Sequence, residues 1–146
     1  SFGGYESAFT SMKSKLFKTA GIGSGITDLA SWYHTYNTQL KNEQMWRLEG
    51  FQLRMGESYY KSKDNYIKNS PTTYVEKLKI PLLIWSGKDD WNVNVNQSIY
   101  LFMAMKRLGK EGELLLYDKE KHGLQEPKNQ KNKTKKIFSW FEYYLK

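Results

Sequence analysis

The chain has 146 residues, of which 39% are hydrophobic and 16% aromatic, and its formal net charge is +8 at pH 7. This length and composition are typical of one globular domain with its own core and exclude a disordered chain. No apolar run approaches the roughly 20 residues that a membrane-spanning helix needs. The absence of cysteine excludes disulfides and a cysteine nucleophile, and with only two histidines no metal site is predicted.

The first half of the chain predicts helices around one short strand. Residues 5–18 are compatible with a helix, and residues 19–23 with a short buried strand. Residues 28–37 predict a loop and helical turn rich in Trp and Tyr, and residues 43–55 have a helical period. A break follows at Asn69-Ser70-Pro71. The apolar positions of the first helix lie near one face: Phe9, Met12, Leu16 and Phe17.

The second half predicts an alternation of strands and helices. The apolar run 82–85 is typical of a strand buried on both faces, and residues 113–117 predict the next strand. Between them, residues 95–108 have the period of a helix that ends at Gly109. A last helix is predicted over residues 130–145. Its apolar stripe consists of Ile137, Phe138, Phe141, Tyr144 and Leu145.

This alternation predicts an α/β fold with a mostly parallel sheet flanked by helices on both faces. Ligands of such sheets bind beyond the carboxyl ends of the strands. Asp90 comes just after the strand at 82–85, and His122 just after the strand at 113–117. Both residues are therefore expected at the same rim of the sheet.

Three clusters place Ser, Asp and His in the chain order of an α/β-hydrolase triad: Ser1-Phe2-Gly3-Gly4-Tyr5, Gly87-Lys88-Asp89-Asp90 and Glu120-Lys121-His122-Gly123. A neutral histidine activates a serine hydroxyl by taking its proton, and a carboxylate holds the histidine in the correct tautomer. The backbone N–H of Phe2 is then one oxyanion donor, and Gly3 is expected to relieve crowding at the serine turn.

Each cluster also has a purely structural explanation. A serine before two glycines is common in loops, and Asp89-Asp90 suits a turn or a helix N-cap. Lys-His-Gly suits an exposed loop. The other histidine, His34, is assigned to packing or pocket lining rather than to catalysis. The shared order and the positions after strands favour the triad.

The same clusters resemble the motifs of the prolyl oligopeptidase family of serine peptidases. Ser1-Phe2-Gly3-Gly4-Tyr5 resembles its Gly-x-Ser-x-Gly-Gly-Tyr motif, and Gly87–Val93 its Gly-x-x-Asp-x-x-Val loop, which selects Asp90 over Asp89. Lys121-His122-Gly123 resembles its histidine segment. The resemblance runs along the whole chain and is strongest to the dipeptidyl-peptidase and acylaminoacyl-peptidase branches.

The resemblance implies a role for each site residue. Ser1 is the nucleophile, Asp90 the acid, His122 the base and Phe2 the oxyanion donor. Asn92 is implied to contact the substrate backbone. The residues implied to form the pocket for the residue before the scissile bond are Tyr5, Trp32, Tyr33 and Tyr36. No metal ion or organic cofactor is implied, and the expected substrate is a short peptide.

The family also implies that residues 1–146 are the C-terminal half of a catalytic domain, beginning at the nucleophile turn and preceded by the rest of that domain and a β-propeller. On that interpretation the second oxyanion donor lies upstream, so the 146-residue chain alone is expected to be inactive. A strand edge left without its neighbour is expected to make it self-associate.

Three alternatives remain at this stage. The first is a non-catalytic, hydrolase-like interaction domain. The second is an N-terminal-nucleophile hydrolase in which the α-amino group of Ser1 is the base, although this leaves Asp90 and His122 without roles. The third is nucleic-acid binding through the lysines of residues 128–136, which are better explained as a solvated loop and first helical turn. No membrane partner is predicted.

Overall fold

The computed structural model describes all residues from Ser1 to Lys146. Its α-helices are α1 (Phe2–Lys13), α2 (Leu29–Tyr33), α3 (Met45–Glu49), α4 (Lys63–Lys68), α5 (Asn96–Arg107) and α6 (Pro127–Tyr144). Its strands are β1 (Ala20–Gly23), β2 (Tyr36–Asn37), β3 (Asn42–Glu43), β4 (Leu82–Gly87) and β5 (Gly112–Tyr117). A 3₁₀ segment covers Pro71–Lys77. None of the helices combines the length and apolar character needed to span a membrane.

The main sheet has three parallel strands in the order β1-β4-β5. Ile22 of β1 aligns with Ile84 of β4, which aligns with Leu114 of β5. The central strand β4 is almost entirely buried, as its continuous apolar run predicted. All three strands therefore end at one rim, and the loops that follow them meet there.

Helices cover both faces of this sheet. On one face, α1, the 3₁₀ segment and α5 enclose a core of nine residues: Ala8, Met12, Ile22, Val75, Leu78, Leu82, Ile84, Leu101 and Met105. On the other face lies α6, whose Trp140 indole donates to Thr19 Oγ1 at 2.7 Å. The predicted α/β class and the helices on both faces are confirmed.

A second core lies under the short helices that follow β1. Its buried members are Ile26, Leu29, Trp32, Tyr33, Leu48, Tyr66 and Val93. Val93 belongs to the loop after β4, so this core touches the rim of the sheet. The antiparallel pair β2–β3, only two residues long, connects α2 to α3 along the chain.

Two helix predictions had wrong limits. The first helix starts at Phe2 and ends at Lys13, because the backbone of Ser14 is extended. Leu16 and Phe17 therefore lie beyond it, and they are 89% and 46% exposed rather than packed on its apolar face. The predicted helix over residues 43–55 shrinks to the five residues of α3, because the chain turns at Gly50.

The apolar stripe predicted for the last helix was also incomplete. Phe138 and Leu145 are exposed, whereas Trp140, which was left out of the stripe, is partly buried and bonds to Thr19, just before β1. The hydroxyl of Tyr144 donates to Glu111. Trp140 and Tyr144 thus bond to the residues just before β1 and β5, contacts that an apolar period does not detect, while Phe141 of the predicted stripe lies against Gly21 of β1.

Candidate active site

The loop after β4 holds a buried carboxylate. The Asp90 side chain is fully buried, and its Oδ1 accepts hydrogen bonds from the backbone N–H groups of Asn92 and Val93, each at 2.9 Å. Its Oδ2 lies 2.8 Å from His122 Nδ1. Asp89, the neighbouring carboxylate, is exposed. The structure therefore distinguishes the two aspartates and orients Asp90 toward the histidine.

His122 lies in the loop after β5, and its side chain is 27% exposed. Because a carboxylate can only accept, the Nδ1–H of His122 donates to Asp90. This leaves Nε2 of the neutral ring as an acceptor. The pair thus has the tautomer and the partial exposure that a general base needs.

The two loops touch through their backbones. Lys88 N–H donates to Tyr117 C=O and Asp89 N–H donates to Glu120 C=O, both at 2.9 Å. A Cβ at position 87 would overlap the carbonyl oxygens of Glu120 and Lys121. Gly87 at the end of β4 is therefore what allows the histidine loop to lie directly against the aspartate loop.

Glu120 fixes the histidine loop, a role that the sequence analysis did not assign to it. Its carboxylate accepts hydrogen bonds from Gln125 N at 2.6 Å, Glu126 N at 3.1 Å and Asn129 Nδ2 at 2.7 Å. Burial raises the pKa of this carboxyl, but those hydrogen bonds outweigh it and hold the pKa below its ordinary value. The sequence feature that could have indicated this role is that Glu120 stands two residues before His122.

Ser1 lies at the N-cap of α1, near the same rim. Its nitrogen donates to Gly23 C=O at the end of β1, at 3.3 Å. The Ser1 hydroxyl makes no hydrogen bond to His122 in this structure. The structure therefore joins Asp90 to His122 and places Ser1 at the end of β1, on the same rim of the sheet.

The crowding expected at Gly3 occurs at Gly4 instead. A Cβ at Gly3 would meet no atom within 4 Å, whereas one at Gly4 would lie 2.7 Å from Gly23 O and from Gly25 Cα. The start of α1 packs on the end of β1 through this glycine. Phe2 is the first residue of α1, so its N–H belongs to the group of helix-start donors without an intrahelical partner.

Comparison with known proteins identifies the family of this chain. The sequence model of the prolyl oligopeptidase family matches residues 1–146. The chain belongs to the prolyl oligopeptidase family. A structural relative, the uncomplexed Pyrococcus horikoshii acylaminoacyl peptidase, has a TM-score of 0.82 and 27% identity over 99% of this chain and 23% of its own.

Curated family members are similar over the same region. The uncharacterized peptidase YuxL of Bacillus subtilis is 25% identical over 99% of this chain, which covers 21% of that protein. Dipeptidyl-peptidase 5 of Porphyromonas endodontalis is 32% identical over 53% of this chain and 11% of its own length. The chain thus spans about a fifth of the length of the first of these relatives.

Among the residues that the family resemblance assigned to a substrate pocket, two lie in the second core. Trp32 is 1% exposed, and its indole N–H has no hydrogen-bond partner. Tyr33 is 3% exposed, and its hydroxyl donates to Glu49 Oε1 at 2.6 Å. Burial is the larger cause that raises the pKa of Tyr33, and the hydrogen bond to Glu49 is the second. In this structure both rings pack against neighbours rather than line an open pocket.

The other assigned pocket residues are separated. Tyr5 packs against the second core and stacks on Phe2, with ring centroids 5.5 Å apart, whereas Tyr36 on β2 is 58% exposed. Burial raises the pKa of Tyr5. Asn92 lies beside Asp90, and its Oδ1 accepts a hydrogen bond from Arg47 Nη1. Sequence reasoning missed Arg47, because no motif links it to a residue 45 positions away.

Proposed function

We propose that this chain provides the catalytic residues of a serine peptidase that hydrolyses short peptides through an acyl-enzyme. The observation that carries the proposal is the 2.8 Å contact between the buried Asp90 carboxylate and His122 Nδ1. In this scheme Ser1 is the nucleophile, His122 the base and Asp90 the acid. Membership of the prolyl oligopeptidase family supports it.

The chemistry follows from the acceptor left on His122. Nε2 takes the proton of the Ser1 hydroxyl as its oxygen attacks the peptide carbonyl, and Asp90 stabilises the imidazolium that forms. The proton then passes to the leaving amine, and water hydrolyses the acyl-enzyme by the same route in reverse. The N–H of Phe2 stabilises the oxyanion, and one such donor is worth about 3–4 kcal/mol in the transition state.

We propose that residues 1–146 are the C-terminal part of the catalytic domain of a larger peptidase, because the family members that match are about five times longer. The second oxyanion donor and a β-propeller that restricts access to peptides are assigned to the rest of that protein. The 146-residue chain alone is then expected to be inactive. Turnover of a peptide substrate by this chain alone would contradict that assignment.

A fluorophosphonate probe, which labels activated serines, tests the proposal on the full natural protein. Label is expected on Ser1, to be absent in Ser1→Ala and to fall at least 100-fold in rate in His122→Ala. The chain has only one other histidine, His34, so His34→Ala is the matched control and should label like the wild type. Equal loss in both histidine variants would contradict the role of His122.

The second candidate is a non-catalytic, hydrolase-like interaction domain. The observation that favours it is that the Ser1 hydroxyl is not hydrogen-bonded to His122 in the structure. Unliganded active sites often have long catalytic hydrogen bonds that shorten only with substrate bound, so this geometry is compatible with both functions. A folded natural protein that takes up no fluorophosphonate would favour the interaction domain.

A further inference from the structure

A hydrogen bond connects the aspartate loop to a short helix from a distant part of the sequence. Arg47 of α3 donates from Nη1 to Asn92 Oδ1 at 2.5 Å. A guanidinium donor is charged, so this bond is stronger than one between neutral groups. Helix α3 is held in place by Leu48, which is fully buried in the second core. Arg47 is therefore a fixed point beside the candidate active site.

The chemistry of the two side chains determines which way the Asn92 amide faces. A guanidinium carries donors only, so it can bond to the amide oxygen but not to the amide nitrogen. The Nδ2 group, with its two N–H donors, must then face away from Arg47. Nδ2 makes no hydrogen bond within the chain, whereas Oδ1 and the backbone N–H of Asn92 are engaged by Arg47 and Asp90.

The backbone of Asn92 is held as firmly as its side chain. Its N–H donates to Asp90 Oδ1, while the other oxygen of the same carboxylate bonds to His122. One carboxylate thus positions both the candidate base and Asn92. The result is a pair of unused N–H donors at a fixed place next to the candidate Asp–His pair.

We propose that Arg47 is a positioning residue that orients the Asn92 amide. The family resemblance already implies that Asn92 contacts the substrate backbone; Arg47 fixes the amide so that Nδ2, rather than Oδ1, faces a backbone carbonyl of the bound peptide. This inference rests on the proposed function and deepens it, because it assigns a role in that contact to a residue outside the family motifs. Without Arg47, the amide is free to turn its oxygen toward the substrate carbonyl. Two acceptors then face each other, and binding weakens.

The test compares two substrates on the full natural protein. A dipeptidyl p-nitroanilide has a second backbone carbonyl, whereas p-nitrophenyl acetate has only the carbonyl that is attacked. Arg47→Met should lower kcat/KM for the dipeptide about three- to tenfold, mainly through KM, and should lower that for the small ester less than twofold. Arg47→Lys, which retains charged donors, should recover part of the loss.

Asn92→Asp separates orientation from loop stability. An aspartate still accepts the hydrogen bond of Arg47 but has no N–H to offer the substrate. Its effect should match that of Arg47→Met, and the double variant should be no worse than Asn92→Asp alone. The control is Arg107→Met, which removes an exposed guanidinium from the far end of α5 and should stay within twofold of the wild type on both substrates.

The outcomes separate the two hypotheses. Wild-type protein that neither takes up a fluorophosphonate nor hydrolyses either substrate overturns the proposed function, and this inference with it. Wild-type protein that is labelled, together with equal losses on both substrates in Arg47→Met, overturns the orienting role alone. Additive losses in the double variant also overturn it, because a residue that acts through Asn92 has no further effect once the amide is gone.

Discussion

The side chains at the rim of the sheet and the helices of the second core are held in place by different interactions. At the rim, Asp90, His122 and Glu120 are fixed by short loops that leave adjacent parallel strands and are joined by backbone hydrogen bonds. In the second core, helices of five or six residues are held by aromatic side chains, such as Tyr33 and Tyr66, whose ring centroids are 5.4 Å apart. Polar bonds position groups for chemistry at the rim, and packing positions the helices.

The largest expected effect is at the aspartate of the rim. Asp90→Asn should lower kcat about 10³- to 10⁴-fold, because an amide no longer enforces the required histidine tautomer or stabilises the imidazolium. Steady-state hydrolysis of a dipeptidyl p-nitroanilide measures it. Asp89→Asn changes the exposed neighbour in the same way and should remain within twofold of the wild type. Similar losses in both variants would mean that the rim does not discriminate between the aspartates.

The contact between the two rim loops can be broken at Gly87. Gly87→Ala should lower the free energy of unfolding by about 3 kcal/mol, because the new methyl group meets backbone carbonyls that cannot rotate away. Urea denaturation measures the change. Gly50→Ala is the matched control, since a Cβ there meets no atom within 4 Å. If Gly87→Ala left the free energy of unfolding unchanged, the two loops would be able to move apart at little cost.

The two regions should also respond to opposite ends of the pH range. The pKa of Glu120 lies below its ordinary value of 4.5 in the folded state, so its stabilising effect is present above about pH 4.5 and disappears as the pH falls through the folded-state value. Glu120→Gln should cost about 1–2 kcal/mol at pH 7 and reduce this acid sensitivity. Thermal melting from pH 3 to 7, with exposed Glu142→Gln as control, tests it.

The smallest expected effect lies in the second core. Burial is the main cause that raises the pKa of Tyr66 from 10.0 to about 12, and its hydroxyl donates to Glu57 C=O at 2.8 Å. The neutral form therefore stabilises the fold below pH 10, and this contribution disappears as the pH rises toward 12. Tyr66→Phe should cost about 1 kcal/mol at pH 7 and make melting less sensitive to alkali.

Exposed Tyr143→Phe is the control for that measurement, because its ring is 71% exposed. If both variants lost alkaline sensitivity equally, the effect would not belong to the second core. If Glu120→Gln and Tyr66→Phe changed the same end of the pH profile, the distinction between a polar rim and a packed aromatic core would fail.

The sequence was sufficient to predict how Asp90 and His122 meet. A strand with a continuous apolar run is easy to recognise in a sequence. Because adjacent parallel strands end at the same rim, the residues that follow two such strands lie close together. The limits of β4, α5 and β5 followed the pattern to within two residues. The family resemblance, confirmed by comparison, added the choice of Asp90 over Asp89.

The remaining features depend on contacts that leave no local pattern. Helix α3 is too short for a helical period to define its end, and the bond from Arg47 to Asn92 joins residues 45 positions apart. Trp32 and Tyr36 are both aromatic residues of the same short segment, and nothing in the sequence distinguishes their environments. In the structure Trp32 is buried and Tyr36 is exposed. Which aromatic residues face solvent is decided by tertiary packing.

The contact of the two rim loops at Gly87 has a consequence for protein design. The two loops meet because a glycine ends the first strand, and backbone hydrogen bonds join them. Two further supports come from outside the strands: Val93 packs in the second core, and Glu120 fixes the histidine loop. A designer who transplants the pair onto another α/β scaffold should therefore carry both supports along, and can choose the surroundings of the nucleophile separately.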